Sequence, residues 1–337
     1  MAVLNVAITG LGSVGQQIVK ILSSRRDYYL AKYHYDIRIV GVCNSTCGLI
    51  SEHGLALHHI LDKSQFTEGL TGLSFINTVS ADILIEAGPT DLTTGEPGLS
   101  YIRTALTRKM KVVCLSKGAL VHDVASLLQL ARQHATSLLF SGATASALPT
   151  MDLLQVSLAG CHIKQVKAIL TGTTNMILSE MMDVGCSFDE ALQKARELGI
   201  AETDPSLDTQ GWDTANKITI IANAVFDAKV KVIEISRDGI EHITQGHISE
   251  WKTAKLTPRL IGAINNEGPQ PEVAVKLELF SQHHPFAKVN GRTKAIHVDT
   301  DEMGELFVMG GASSLQATAA AALKDLELII RTMVVNA

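Results

Sequence analysis

An apolar run over residues 4–9 breaks into a glycine cluster, and apolar residues resume at helical spacing over 14–21. The run predicts a buried strand and its turn, and the 3.6-residue period after it predicts a helix. The alternation continues. Residues 37–43, 83–87 and 111–115 read as further strands, 138–141 as a short one, and 97–109 and 121–135 as helices. Strands that alternate with helices predict a parallel sheet covered on both faces. After Pro149 the pattern changes. Residues 163–170 read as a strand, 175–182 as a helix, and Ser187 with Glu190 as the capping box of a helix that Gly199 closes. A strongly apolar helix is predicted over 212–226, and strands over 273–280 and 293–298, with turn chemistry at 265–268 and at Asn290-Gly291. A final helix runs from about Ser314 to Met333. The chain therefore reads as α/β, with a parallel-sheet first domain over 1–149 and an α+β domain after it.

Composition narrows the class. A chain of 337 residues with 46% hydrophobic and 19% charged content suits about two domains with substantial cores. A net charge of −5 leaves no basic footprint for nucleic acid, and no Lys/Arg cluster suits a membrane surface. The uncharged run at 1–19 lacks a basic n-region, and the one at 306–323 is interrupted by glycines and serines, so neither reads as a signal peptide or a membrane span. Five scattered cysteines argue against a disulfide framework and for a cytoplasmic protein. Cys114 reads as core. The pairs His58-His59 and His283-His284 lack further ligands, so no metal is assigned.

The glycine cluster places Gly10, Gly12 and Gly15 as G-x-G-x-x-G between a predicted strand and helix. The first glycine permits the tight turn, the second lets backbone approach a pyrophosphate, and the third lets helix and strand pack closely. The helix start at Ser13 and Val14 supplies free N–H groups and positive potential. The context favours a Rossmann-type dinucleotide site over a turn with no ligand. The second strand leads into Asn44-Ser45-Thr46, where an acid would select the ribose hydroxyl of NAD and an arginine the phosphate of NADP. Neither is present. Asn44, Ser45 and Thr46 are assigned to the cofactor, with NADP or NAD both open and a slight lean to NADP.

Residues 201–217, AETDPSLDTQGWDTANK, gather Glu202, Asp204, Asp208 and Asp213 ahead of Lys217. Asp213 and Lys217 share a helix face. An ordinary surface ion pair there would contribute about 0.3–0.5 kcal/mol. Asp208 could be an N-cap and Asp204-Pro205 a turn. Beside a dinucleotide loop a different reading gains weight, because hydride chemistry needs a proton donor, and an unperturbed lysine is protonated at neutral pH.

These motifs resemble the homoserine dehydrogenase family. The likeness runs from GLGSVG through TDLTTGEPGLSYIRTAL (90–106), VVCLSKGAL (112–120), LTGTTNMIL (170–178) and the acid-rich stretch to MGGASSLQATAAAALKDL (309–326). It implies reduction of L-aspartate 4-semialdehyde to L-homoserine. Lys217 would carry the proton, with Asp213 orienting it and Lys117 as the second active-site lysine. Glu202 would bind the substrate ammonium, with Asp208, Gly172 and Thr173 also at the substrate. Ser116 and Gly311 would join the cofactor set. A homodimer is implied, as is a catalytic and dimerisation domain over 150–305 followed by a 306–337 segment whose helix returns to the cofactor domain. No regulatory domain is expected. Five positions depart from the family pattern. Ser116 stands for asparagine, Thr171 opens the Thr-Gly-Thr turn, Ser141 replaces the glutamate of a monovalent-cation loop, and Ser313-Ser314 replace glycines. The missing carboxylate leaves a cation unassigned. Two alternatives stay open: a same-family enzyme with a different amino-acid aldehyde or alcohol, and a cofactor-binding sensor without catalysis.

Overall fold

The computed structural model describes residues 2–311 and 313–335. The chain divides into two compact units, one reaching Ala147 and resuming at Ser314, the other spanning Leu148–Ser313. The break thus falls two residues before the expected one at 149.

The first unit holds a seven-stranded sheet. Its strands are β1 (Ala2–Thr9), β2 (Tyr35–Cys43), β3 (Cys47–Ile50), β4 (Thr67–Glu68), β5 (Ile83–Glu86), β6 (Lys111–Cys114) and β7 (Leu138–Leu139), in the order β4-β3-β2-β1-β5-β6-β7. Strands β2, β1, β5, β6 and β7 are mutually parallel, and β3 and β4 extend the edge antiparallel. Successive residues Val6, Ala7 and Ile8 are all fully buried, as a strand covered on both faces requires. The Ser13–Ser24 helix places Ile18, Val19 and Leu22 in this core. The Leu315–Val335 helix joins the same core through Ala319, Ala322, Leu323, Leu326 and Ile330. The Gly98–Thr107 and Gly118–Gln133 helices complete the α/β alternation.

The second unit holds a six-stranded sheet of β8 (Ile163–Ile169), β9 (Ser236–Arg237), β10 (Leu256–Asn265), β11 (Glu272–Ser281), β12 (Lys294–Thr300) and β13 (Glu305–Gly310), in the order β13-β12-β8-β10-β11-β9. All pairs are antiparallel except β9 with β11. The family resemblance assigns residues 306–310 to the returning segment. They instead pair along β12, and the chain leaves this sheet at Gly310 and Gly311, whose φ values of 137° and 76° suit glycine.

Strand β10 escapes sequence patterning because Pro258 and Gly262 interrupt it. Its partner β8 begins to pair only at Gly262, so Pro258 removes no ladder bond on that side. Gly262 is a close-approach position: a Cβ there would lie 3.1 Å from Thr214 and 3.2 Å from Ile218. The Trp212–Val225 helix is seated on the sheet at this point, which fixes the side chains it carries.

Candidate active site

The glycine loop follows β1 directly. Gly10 has φ +86°, and a Cβ on it would lie 2.3 Å from the Ala87 backbone. A Cβ on Gly15 would lie 2.2 Å from the Gly10 carbonyl oxygen, whereas one on Gly12 meets nothing within 4 Å. Gly10 and Leu11 donate their N–H groups to the Cys43 carbonyl at 2.9 and 3.1 Å, which ties the loop to the end of β2. The Ser13–Ser24 helix has no side-chain cap and no acid in its first turn. Its N–H groups and dipole therefore face an open cradle beside exposed Gly12 and Ser13 and half-buried Val14, an arrangement that fits a pyrophosphate.

At the end of β2 the side chain of Asn44 is spent on its own turn. Its Oδ1 accepts from the N–H groups of Thr46 and Cys47 at 2.8 Å each, and its amide donates to Cys47 Sγ at 3.3 Å. Ser45 and Thr46 are exposed at the tip. No arginine or lysine lies in residues 44–50.

Strand β6 delivers Ser116 and Lys117. Ser116 is 3% exposed and donates its hydroxyl to Glu86 Oε2 at 2.5 Å. Lys117 is half-buried at the cap of the Gly118–Gln133 helix, and its backbone N–H donates to Thr90 Oγ1 at 3.2 Å.

In the second unit the acid-rich stretch separates into parts. Glu202 and Asp204 are exposed, and Asp204 Oδ1 accepts from the Ser206 N–H at 3.0 Å, which makes the Asp204-Pro205 step a turn. Asp208 lies within a short turn of helix, Ser206–Thr209, and is half-buried. It is not the N-cap of the next helix; Gly211 is, at φ 79°. Trp212 packs under the Arg237 guanidinium, 3.7 Å from its ring centroid.

Asp213 and Lys217 then form a tight pair. Lys217 Nζ donates to Asp213 Oδ2 at 2.5 Å and to the Leu170 carbonyl at 2.9 Å. The two side chains are only 13% and 11% exposed, so this is not a solvated surface bridge. Thr171 donates its hydroxyl to the same Asp213 oxygen at 2.9 Å. It is the cap residue of the Gly172–Val184 helix, where a Cβ on Gly172 would approach the Arg292 carbonyl to 3.1 Å. Thr173 donates its hydroxyl to the Ile200 carbonyl at a long 3.4 Å. Geometry thus gathers Lys217, Asp213, Thr171 and the Leu170 carbonyl. Sequence reasoning marks Thr171 only as a departure from the family pattern, and its place one residue before Gly172-Thr173 is the signal for its contact with Asp213. It also misses Glu86, although an acid closing an apolar strand is visible in ILIE.

A second polar cluster lies in the first unit. Asp325 is fully buried and accepts from the Ser141 N–H at 2.8 Å. Lys324 donates to Ser141 Oγ at 2.7 Å and lies 3.2 Å from Asp325 Oδ1. Burial raises the Asp325 carboxyl above its ordinary pKa, and Lys324 opposes that shift. Among the described residues no group of three or more His, Cys, Asp or Glu is placed to hold a metal ion, and no helix is long and apolar enough to cross a membrane.

A glycine cradle at the end of a parallel sheet, in a chain that also buries a lysine–aspartate pair, defines a nicotinamide-dependent oxidoreductase. Residues 10–141 match the model of the homoserine dehydrogenase NAD binding domain, and residues 149–326 match that of homoserine dehydrogenase. The chain belongs to the homoserine dehydrogenase family. It is 31% identical over 333 residues to a homoserine dehydrogenase of Methanocaldococcus jannaschii, covering 96% of this chain and 97% of that one. It is 30% identical to an NAD(+)-dependent homoserine dehydrogenase of Pseudomonas canavaninivorans, covering 95% and 94%. A crystal structure of the S. aureus homoserine dehydrogenase superposes with a TM-score of 0.81 at 28% identity, covering 98% of this chain and 76% of that one.

Proposed function

We propose that this protein interconverts L-aspartate 4-semialdehyde and L-homoserine with NAD(P)H and NAD(P)+, and that Lys217 is its proton carrier. The observation that carries this reading is the buried Lys217–Asp213 pair, to which Thr171 adds a donor. When bound, the reduced nicotinamide supplies a hydride to the aldehyde carbon. The Lys217 ammonium gives a proton to the aldehyde oxygen, and the alcohol forms. Lys217 is left as a neutral amine and regains its proton from solvent. Asp213 and the Leu170 carbonyl hold Nζ in one place through this cycle, so little reorganisation is needed at the moment of transfer. Lys117 serves as a second cation for the reacting groups, and Glu202, Asp208, Gly172 and Thr173 hold the amino-acid end. Gly311 and Ser116 belong to the cofactor set.

Glu202 is exposed, so Glu202→Gln should leave the fold intact and act on substrate alone. Loss of a charged hydrogen bond to an ammonium corresponds to a KM rise of roughly 10- to 100-fold with a smaller change in kcat. An unchanged KM rejects the ammonium contact.

Both cofactors serve, with NADP slightly preferred. The tip at Ser45 and Thr46 has hydroxyl donors for a phosphate but no arginine, and it has no acid to repel one. The absent arginine corresponds to roughly 10- to 100-fold of phosphate selectivity, so kcat/KM for NADPH and NADH should agree within about tenfold. We assign no monovalent cation, because Ser141 offers no carboxylate and the Lys324 ammonium already stands against Ser141 and Asp325. One assay tests the reading: NADPH and NADH oxidation with aspartate 4-semialdehyde, with and without potassium or sodium. Turnover with both cofactors and no response to either salt beyond ionic strength is expected. Absence of turnover under every condition rejects the reaction, and strict dependence on one salt rejects the cation-free assignment.

The homodimer follows the family resemblance, and exposed Leu279 on β11 and Met309 on β13 are apolar surface that a partner would cover. A one-chain mass in light scattering rejects it. A cytoplasmic location suits the five free cysteines. Bridged thiols in protein taken directly from cells would reject it.

A further inference from the structure

Glu86 is a buried acid that the chemistry above does not use. It is the last residue of β5 and pairs across to Thr9, the last residue of β1. The strand order of the first sheet reverses between these two strands, and in open α/β sheets ligands bind in the crevice at that point. The residue is 1% exposed. Its carboxyl receives three donors: the Gly88 N–H at 2.8 Å, the Ser116 hydroxyl at 2.5 Å and the Cys114 thiol at 3.6 Å. Neighbouring glycines leave it room. A Cβ on Gly88 would lie 2.7 Å from Glu86 Oε1, and one on Gly98 would lie 3.1 Å from Ser116 Oγ.

Packing alone does not explain an acid here. The other residues of β5 are Ile83, Leu84 and Ile85, each fully buried, and a fourth apolar side chain would suit the site at lower desolvation cost. That cost is visible in the carboxyl, whose pKa burial pushes up against the three donors. What the acid does achieve is convergence. It joins the turn after β5 to the exit of β6, and that exit leads straight into Lys117. On the far side of Lys117, its N–H is held by Thr90, and Gly118 lies so close to Asp91 that a Cβ would reach 2.1 Å from the Asp91 carbonyl oxygen.

We propose that Glu86 is a positioning residue for Lys117: by fixing the Ser116 hydroxyl and the exit of β6, it sets the backbone from which the lysine projects. The inference rests on the reading of Lys117 as an active-site group. Three single variants, Glu86→Gln, Ser116→Ala and Lys117→Ala, together with the combinations Glu86→Gln/Ser116→Ala and Glu86→Gln/Lys117→Ala, test it in the full chain. Readouts are kcat for homoserine oxidation, NADH affinity by fluorescence, and Tm. Misplacement of a reacting group by about 1 Å lowers rates by up to 100-fold, so Glu86→Gln should lower kcat by about 10- to 100-fold at unchanged NADH affinity, and Ser116→Ala should lower kcat by a similar factor. The Glu86→Gln/Ser116→Ala protein should be no slower than the worse single variant. In the Lys117→Ala background, Glu86→Gln should have no further effect. A Glu86→Gln variant with native kcat overturns the proposal. So does an equal rate loss from Glu86→Gln with and without Lys117, which is the mark of a general packing role. Native turnover in Lys117→Ala instead removes the underlying reading, and the proposal falls with it. If Glu86→Gln does not fold, Ser116→Ala measured with and without Lys117 separates positioning from packing in the same way.

Discussion

Lys217→Ala should lower kcat by about 10²- to 10⁴-fold while the protein still binds NADH, the range expected when a positioned proton donor is removed. The argument starts from geometry. Nζ has one carboxylate and one carbonyl as fixed partners, at 2.5 and 2.9 Å, and the side chain is 13% exposed. Few water molecules can reach that position to take over the transfer. Removal also takes from Asp213, which is 8% exposed, the ammonium paired with it. An unsatisfied buried charge destabilises by about 1–3 kcal/mol or more, so part of any activity loss could come from the fold. Lys217→Arg separates the two effects. Arginine keeps the positive charge beside Asp213 but does not release a proton in a protein. The expected result is a Tm close to native and a kcat as low as that of Lys217→Ala. Near-native turnover in Lys217→Ala, or turnover restored in Lys217→Arg, rejects proton transfer by this residue.

Those contacts also show which parts of the molecule are legible in the sequence. The glycine loop can be read because strand, turn and helix start lie within Ala2–Ser24 and Gly15 answers to the nearby Gly10 carbonyl, whereas Gly10 answers to the distant Ala87 and Gly12 faces open space. The Lys217–Asp213 pair can be read because both residues sit on one helix face. Thr171 cannot be joined to Asp213 in this way, since 42 residues separate them and only the seating of the Trp212–Val225 helix on Gly262 brings them together. The same holds for Glu86 with Ser116, 30 residues apart, and for Ser141 with Asp325, 184 apart. Strand β10 is hidden by Pro258, a residue that argues against a central strand unless its neighbour stops short, as β8 does. Strand β13 is absorbed into an uncharged run that continues into the last helix, and only its pairing with β12 shows where one element ends. Asn44 illustrates a subtler limit. The residue type suggests a ligand contact, and the structure adds that Asn44 Oδ1 also builds the turn after β2, which the residue type alone does not reveal.

Gly12→Ala and Gly15→Ala should both weaken cofactor binding strongly, and they should part on stability. Gly12 sits in extended backbone, φ −81° and ψ −162°, which alanine adopts without strain, and a Cβ there meets nothing within 4 Å. The protein without cofactor should therefore keep its Tm. The added methyl occupies the open cradle at the helix start, where a pyrophosphate must approach the backbone to receive its N–H groups. Charge-assisted hydrogen bonds contribute about 1.5–3 kcal/mol each, so loss of one or two corresponds to an affinity loss on the order of 100-fold. At Gly15 the methyl would lie 2.2 Å from the Gly10 carbonyl oxygen, a backbone atom held in place by its neighbours. The Ser13–Ser24 helix must move away from the loop, at a cost of about 1–3 kcal/mol for overpacking, and its N–H groups move with it. Gly15→Ala should thus lower both Tm and NADH affinity, whereas Gly12→Ala lowers affinity alone. Native NADH affinity in Gly12→Ala would show that the phosphates do not approach that backbone, and native Tm in Gly15→Ala would show that the loop and helix can separate freely.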